Sequence, residues 1–346
     1  AVAGVALAAG RIPRALAQTP AATDAFKGRQ MTFAGWGGAY QDVQKQAFCD
    51  PFSAASGVTV LQDGPVDDAK TRAMGESGQP TWDVVDVTDS FLYNAAQDGI
   101  FEPIDYKVVD RAALIPEYTH DYGVGTIVWS NNIGYNTEVF SGENHPSGWA
   151  DVFDLQKFPG KRTFPGNTPD VNLEAALMAD GVPMDKLYPL DIDRAFAKFD
   201  TIKSEIIWWD TNSQSQQLFI DGEVNLGLIL NGRAYDAAKK GAPIAVEWNG
   251  NVQSVDYFVV LKGAANADVA MQFIQFASRP QGQAIMANEI AYAPTNPAAL
   301  KLVDPKVAPW LSTTPGNREK GILIDVAYWR DNLKTVGERW NEWLMS

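Results

Sequence analysis

The feature that most limits what this chain can fold into is a regular alternation of strand-like and helix-like segments. "RQMTFAGW" and "VTVLQDG" flank the helical run "YQDVQKQAFCDPFSAASG", and "TWDVVDVTDSFLYNAAQDGIFEPID" repeats the pattern as an apolar strand, a polar turn and a helix. Such β-α-β-α order predicts a parallel sheet covered by helices. "TIVWSNNIGYN" adds a strand. A second α/β region runs from "GWADVFDL" through "NLEAALMADG", "IDRAFAKFDTIKSEIIWW" and "SQSQQLFIDGEVNLGLILNGRAYDAAKKG" to "APIAVEWNG". After it come the strand "SVDYFVVLKG" and the helix "ADVAMQFIQFASRPQGQAIMANEI". With 346 residues, 46% of them hydrophobic, the chain has material for two cores. It has no long Pro/Ser linker, so the junction between them is expected to consist of strands that cross over.

The first strand ends in "GWGGAY". Gly35, Gly37 and Gly38 do not make a dinucleotide fingerprint, because its third glycine would fall at Tyr40. An aromatic at the carboxyl end of a strand suits a flat organic ligand or an ammonium group better than a pyrophosphate; the other reading of Trp36 is a cap on the core edge. A formal net charge of -14 excludes nucleic acid and anionic membrane surfaces as partners, since those need clustered Lys and Arg. Cys49 is the only cysteine, which leaves no intrachain disulfide and no cysteine metal site, and its place in an amphipathic run reads as a buried, inert thiol.

Catalytic signatures are missing. The two histidines, His120 and His145, belong to no zinc or hydrolase motif, and acid pairs such as Asp67-Asp68 and Asp86/Asp89 read as solvated. No metal and no cofactor is expected, and an iron site would need tyrosines more clustered than these. At the N-terminus "AVAGVALAAG" has the length of a signal-peptide apolar core, and Ala15-Leu16-Ala17 supplies a small-residue cleavage site. Residues 1–17 are therefore read as a residual signal peptide, with a plain N-terminal tail as the other reading, and the protein as exported to the periplasm.

From Met31 to about Ala298 the chain resembles the extracellular solute-binding proteins of ABC importers, specifically the spermidine/putrescine-binding group. The segments that carry the likeness are "GWGGAYQD", "WDVVDVTDSFL", "NNIGYNTEVF", "SGWADVFD", "NLEAALMADGV", "GEVNLGLILNGRAYDA", "SVDYFVVLKGAANADVAMQFIQFASRPQGQ" and "YAPTNPAA". The resemblance implies a two-lobe type II periplasmic binding protein fold of class α/β, each lobe a mixed, mainly parallel sheet flanked by helices, with a ligand held between lobes. "GVGTIVWSNN" and "VQSVDYFV" look like the two crossovers. Residues 28–125 plus 257–318 would form the first lobe and 126–256 the second. Residues 319–346 hold a C-terminal helix with a packing stripe (Val326, Trp329, Leu333, Val336, Trp340, Trp343, Leu344) on a lobe that the sequence leaves open. The implied partners are a small amine-containing solute and the subunits of an ABC permease, with the binding protein itself a monomer.

In that family, carboxylates hold the ligand's ammonium groups while aromatic faces box its methylene chain. By the resemblance, Trp36 presents an aromatic from the first lobe, Thr88 and Asp89 lie in a turn that supplies polar contacts, Asp256 matches an acid that meets an amine, and Tyr292 matches an aromatic of the cleft wall. Trp129 is a further candidate, as is one of Trp208 and Trp209, since alternation along a strand lets only one of the two face a cleft; Trp209 is expected to be that one. Two departures bear on the ligand. Thr168 and Val171 stand where the family has acids for a second ammonium, with Asp170 able to substitute after a shift of register. Arg233 stands where the family has a small polar or acidic residue. An arginine in the cleft would repel a diamine and grip a carboxylate at two points, which points to a zwitterion such as 4-aminobutyrate; the alternative is a surface ion pair between Arg233 and Asp210.

Overall fold

Two strands of unusual length organise the chain. The computed structural model describes residues 26–346, so the expected export segment lies outside the described residues. Among the described residues there are twelve strands: β1 (Gln30–Ala34), β2 (Thr59–Asp63), β3 (Val84–Thr88), β4 (Phe101–Glu102), β5 (Thr119–His120), β6 (Gly123–Asn136), β7 (Arg162–Pro165), β8 (Ile206–Trp209), β9 (Leu226–Leu230), β10 (Ile244–Leu261), β11 (Ala293–Pro294) and β12 (Gly321–Leu323). They join into one sheet whose main path is β2-β1-β3-β10-β6-β9-β7-β8. At 14 and 18 residues, β6 and β10 are far longer than an ordinary strand of about five or six. They pair antiparallel along most of their length and so run from one lobe into the other.

On one side of this central pair, β1 runs parallel to β2 and β3, and β3 runs antiparallel to β10. On the other side β9 is antiparallel to β6, and β7 is parallel to both β8 and β9. The fold is therefore the expected two-lobe α/β one, parallel at its flanks and antiparallel at its centre. Around β3 and β10 the first-lobe sheet is buried on both faces, while the edge strand β2 is largely exposed. Val85, Val87 and Tyr257 point into one core and Phe33, Val84 and Phe258 into another, which explains why "VVDVT" is apolar without alternation.

Three local readings differ from the expectation. "APIAVEWNG" and "SVDYFVVLKG" are not separate strands but parts of β10, joined through an irregularity between Glu247 and Val252 where Gly250 takes φ 80°. The helix expected over "ADVAMQFIQFASRPQGQAIMANEI" is two, Ala267–Ala277 and Pro280–Ile290. Pro280 starts the second because it has no N–H to give and holds Arg279 extended (φ -74°, ψ 151°). The first helical run carries a π turn over Lys45–Cys49, within which Cys49 is buried. Burial pushes its thiol up to about 12, so the inert reading stands on its surroundings.

The C-terminal helix Val326–Met345 packs on the core built from residues 133–252, through Trp329, Val336 and Trp340. Trp340 meets Trp208 edge-on at 5.6 Å, while Trp343 stacks on Phe196 at 5.6 Å. The Trp340 Nε1–H donates to the Gly166 carbonyl at 2.8 Å. Leu333, counted in the sequence stripe, is 46% exposed instead. Because Trp340 is fully buried, Trp340→Ala is expected to destabilise the protein by about 3–5 kcal/mol. Leu333→Ala should stay within about 0.5 kcal/mol of the parent. Urea denaturation of the three proteins checks this, and equal losses at both positions would contradict the packing described.

Candidate functional site

A cavity of about 480 Å³ opens between the lobes and takes walls from three sources. The first lobe supplies Thr88, Asp89 and Ser90; the long strands supply Trp129, Asn131 and Ser254; the second lobe supplies Thr168, Asp170, Trp209 and Asp210. Three carboxylates and two indoles thus face one space, with neither Lys nor Arg among the lining residues. Such a surface favours a cation with an apolar stem.

The acids are not equivalent. Thr88 caps the helix Asp89–Ala95, its Oγ1 accepting the Phe91 N–H at 3.2 Å. The Asp89 carboxylate accepts the N–H groups of Ser90 at 2.7 Å and of Val255, on β10, at 3.2 Å. Burial lifts its carboxyl to about 6 in spite of those donors. Asp89 therefore ties a first-lobe helix to the crossover strand with both oxygens engaged. Asp170 accepts from the Thr168 hydroxyl, and burial raises its carboxyl as well. The next residue, Val171, holds φ 65°, a conformation that costs a β-branched residue energy and that recurs at ligand-binding loops.

The other expected residues gather beside the cavity. Trp129 donates its Nε1–H to Asp256 Oδ1 at 3.0 Å, so this indole both lines the cavity and leads to the acid. Asp256 is 7% exposed. Burial pushes its carboxyl up to about 7; the Trp129 hydrogen bond opposes that rise and the negative charge of Asp89 adds to it. Trp36 Nε1 is buried without a partner at full hydrogen-bond geometry, yet close enough to Asp256 to favour its carboxylate. Tyr292 is half-buried, 6.0 Å ring to ring from Tyr40, and packs on Gly232 at the start of the helix Asn231–Lys239. Its hydroxyl is raised by burial, then lowered by the charge of Arg233 and raised by that of Asp256, so both residues act on the same ring. Thr88, Asp89, Trp129 and Trp209 thus line the cavity, and Trp36, Arg233, Asp256 and Tyr292 do not. Trp208 points the other way, onto Phe164, Phe199 and Trp340.

Arg233 is half-buried at the third position of its helix. Among the described residues its guanidinium has no ion-pair partner, and the pairing with Asp210 considered above is not formed.

Two residues of this region were missed. Asp86, read from the sequence as solvated, is fully buried, and Tyr40 donates its hydroxyl to it at 3.0 Å. The signal was present: an acid flanked by valines in a strand with no polar alternation lies inside a sheet covered on both faces.

Residues 20–314 match a family model described as bacterial extracellular solute-binding protein. The gamma-aminobutyric acid-binding protein of Pseudomonas aeruginosa is 34% identical over 332 residues, covering 93% of each chain. The spermidine/putrescine-binding periplasmic protein of Escherichia coli is 26% identical over 237 residues, 66% of this chain and 67% of its own. A solved structure of a GABA receptor superposes with a TM-score of 0.83 at 44% identity, covering 91% of this chain and 98% of its own.

The buried acids set how the ligand-free protein responds to pH. Asp86, Asp89, Asp170, Glu174 and Asp256 are all raised, first by burial. An unfolded chain loses these protons at about pH 4, so the folded state holds more protons above that pH. Their stabilisation is complete below about pH 4 and is lost as pH rises through 6 to 7. Asp180 and Asp268, lowered by hydrogen bonds from Arg194 and Arg29, act oppositely and lose their contribution in acid. The melting temperature without ligand is therefore expected to peak near about pH 5 and to fall towards about pH 8. Calorimetric scans across that range check it, and a steady rise from pH 5 to 8 would contradict the buried-acid account.

Proposed function

The chain belongs to the bacterial extracellular solute-binding protein family, and on that premise we propose that it captures a small ω-amino acid of the 4-aminobutyrate type for an ABC importer. The observation that carries this reading is a pair of oppositely charged groups, Asp256 and Arg233, that both lie close to Tyr292 beside the cavity. Asp256, buried and hydrogen-bonded to Trp129, offers a carboxylate to an ammonium; Arg233, without an ion-pair partner among the described residues, offers a planar fork to a carboxylate; and the Tyr292 ring lies within reach of both charges. An ammonium stripped of water needs both negative charge and π-density. A carboxylate is best held at two points by a guanidinium. The gamma-aminobutyric acid-binding relative and the GABA receptor structure support the same ligand class.

In this reading Trp36, Trp129, Trp209 and Tyr292 box the methylene chain, while Thr88 and Asp89 hold the first-lobe wall in place. The lobes, near residues 28–125 plus 257–318 and 126–256, close about β6 and β10, as hinged domains do around a solute. The protein works as a monomer in the periplasm, returns its ligand unchanged and delivers it to the permease.

A second reading has its own observation. Asp89, Asp170 and Asp210 line the cavity with no basic residue among them, a setting that also suits the second ammonium of a diamine.

Calorimetric titration with 4-aminobutyrate and with putrescine separates the two. Arg233→Ala is expected to abolish 4-aminobutyrate binding and to leave putrescine binding no weaker, because the arginine attracts the carboxylate and repels the diamine. Asp256→Asn is expected to weaken either ligand by about 2–5 kcal/mol. Tight putrescine binding that ignores Arg233→Ala would replace the zwitterion reading with the polyamine one. Unchanged affinity in Asp256→Asn would remove Asp256 from the site.

A further inference from the structure

Two carboxyl groups share one face of the β3–β10 ladder. In this antiparallel register Asp256 lies opposite Thr88 and Asp86 lies opposite Phe258, so the two acids are diagonal neighbours at roughly 7 Å between backbones. The helix Gly38–Gln44 covers them. Asp86 Oδ2 accepts both the Tyr40 hydroxyl at 3.0 Å and the Gln44 amide at 2.7 Å. Among the described residues the other oxygen, Asp86 Oδ1, is buried with no partner, and so is Gln44 Oε1. Asp256 is held from the opposite side by the Trp129 indole.

The charged and titratable groups facing this pair are few. Tyr40 comes from the covering helix, Asp89 from the helix that β3 leads into, and Tyr292 from the turn after the helix Pro280–Ile290. Arg233 acts from beyond Tyr292. Among the described residues neither Asp86 nor Asp256 has an ion-pair partner. Two like charges this close and this dry do not both ionise without a cation between them or beside them.

We propose that Asp86 and Asp256 together hold one proton in the empty cleft and release it to solvent when the ligand's ammonium group arrives at Asp256. Asp86 is thereby a positioning residue: it acts through Asp256 and sets the pH at which the site accepts an amine. The exchange conserves charge, since one proton leaves as one ammonium enters. Burial raises both acids, which keeps the proton on the pair through neutral pH. The inference rests on the reading that the ligand carries an ammonium to Asp256.

The test is isothermal titration of the purified protein with 4-aminobutyrate and putrescine at about pH 7, in buffers of different ionisation enthalpy. The amines keep their own protons there, with pKa values near 10.4. Wild type is expected to release about one proton per ligand bound, and its affinity should fall up to about tenfold per unit as the pH drops from 8 to 6. Asp86→Asn keeps an acceptor for Tyr40 and Gln44 but cannot titrate, so proton release should largely vanish and the affinity should flatten over that range. Binding by wild type with no proton released overturns the proposal, as does an Asp86→Asn protein that releases as many protons as wild type. Should that variant fail to fold, the wild-type proton count decides alone. If neither ligand binds at any pH, the amine-binding function itself is wrong and the exchange falls with it.

Discussion

The structure depends on the antiparallel pairing of β6 with β10. These strands are the backbone of both lobes at once, and Gly125 on β6 has no room for a side chain: a Cβ there would lie 2.6 Å from the Tyr118 carbonyl and 2.9 Å from Val255 of β10. Trp129 and Asp256 stand on these two strands, and Asp89 is bonded to the backbone of β10 one residue away. The groups proposed to meet the ligand are therefore attached to the elements about which the lobes would turn. In the proposed binding mode a ligand on Asp256 and Arg233 bridges β10 and the helix Asn231–Lys239, whose first residue already donates to the Ala291 and Trp310 carbonyls, so binding and closure are coupled through the same elements.

The same arrangement explains why so polar a region exists inside an apolar protein. Buried carboxyls cost free energy unless they are paired, hydrogen-bonded or neutral. Here Trp129, Tyr40 and Gln44 supply some hydrogen bonds but no counter-charge. Glu174 presents the same solution in the second lobe, where Tyr188 and Trp329 donate to one oxygen and leave the other unpartnered. The proposed amine site has to tolerate this imbalance when empty, and raised carboxyl pKa values are the form that tolerance takes.

Much of this was legible in the sequence, for physical reasons. Strand and helix periods are local, so the β-α-β alternation of the first lobe, the C-terminal helix and the burial of Cys49 could be read directly. Alternation along β8 meant that only one of Trp208 and Trp209 could line a cavity, and which one follows from the aromatic cluster under the C-terminal helix. The rest is tertiary. That "APIAVEWNG" and "SVDYFVVLKG" are one strand follows from pairing with β6, which no local signal announces. Leu333 fits a helical stripe, yet no second-lobe surface reaches it. Asp86 was misread because acids are usually solvated; its neighbours along β3, Val84, Val85 and Val87, were the better guide. The direction of Arg233 was beyond sequence reasoning altogether, since an arginine in the first turn of a helix can turn to solvent, to an acid or to a ligand.

In the proposed complex one zwitterion is held end to end between Asp256 and Arg233. A crystal structure of the protein with 4-aminobutyrate decides this. The ammonium nitrogen is expected within about 2.7–3.2 Å of an Asp256 carboxylate oxygen, and the ligand carboxylate on the Arg233 guanidinium. A ligand bound with its carboxylate away from Arg233, or with its ammonium on Asp170 or Asp210 instead of Asp256, would contradict it.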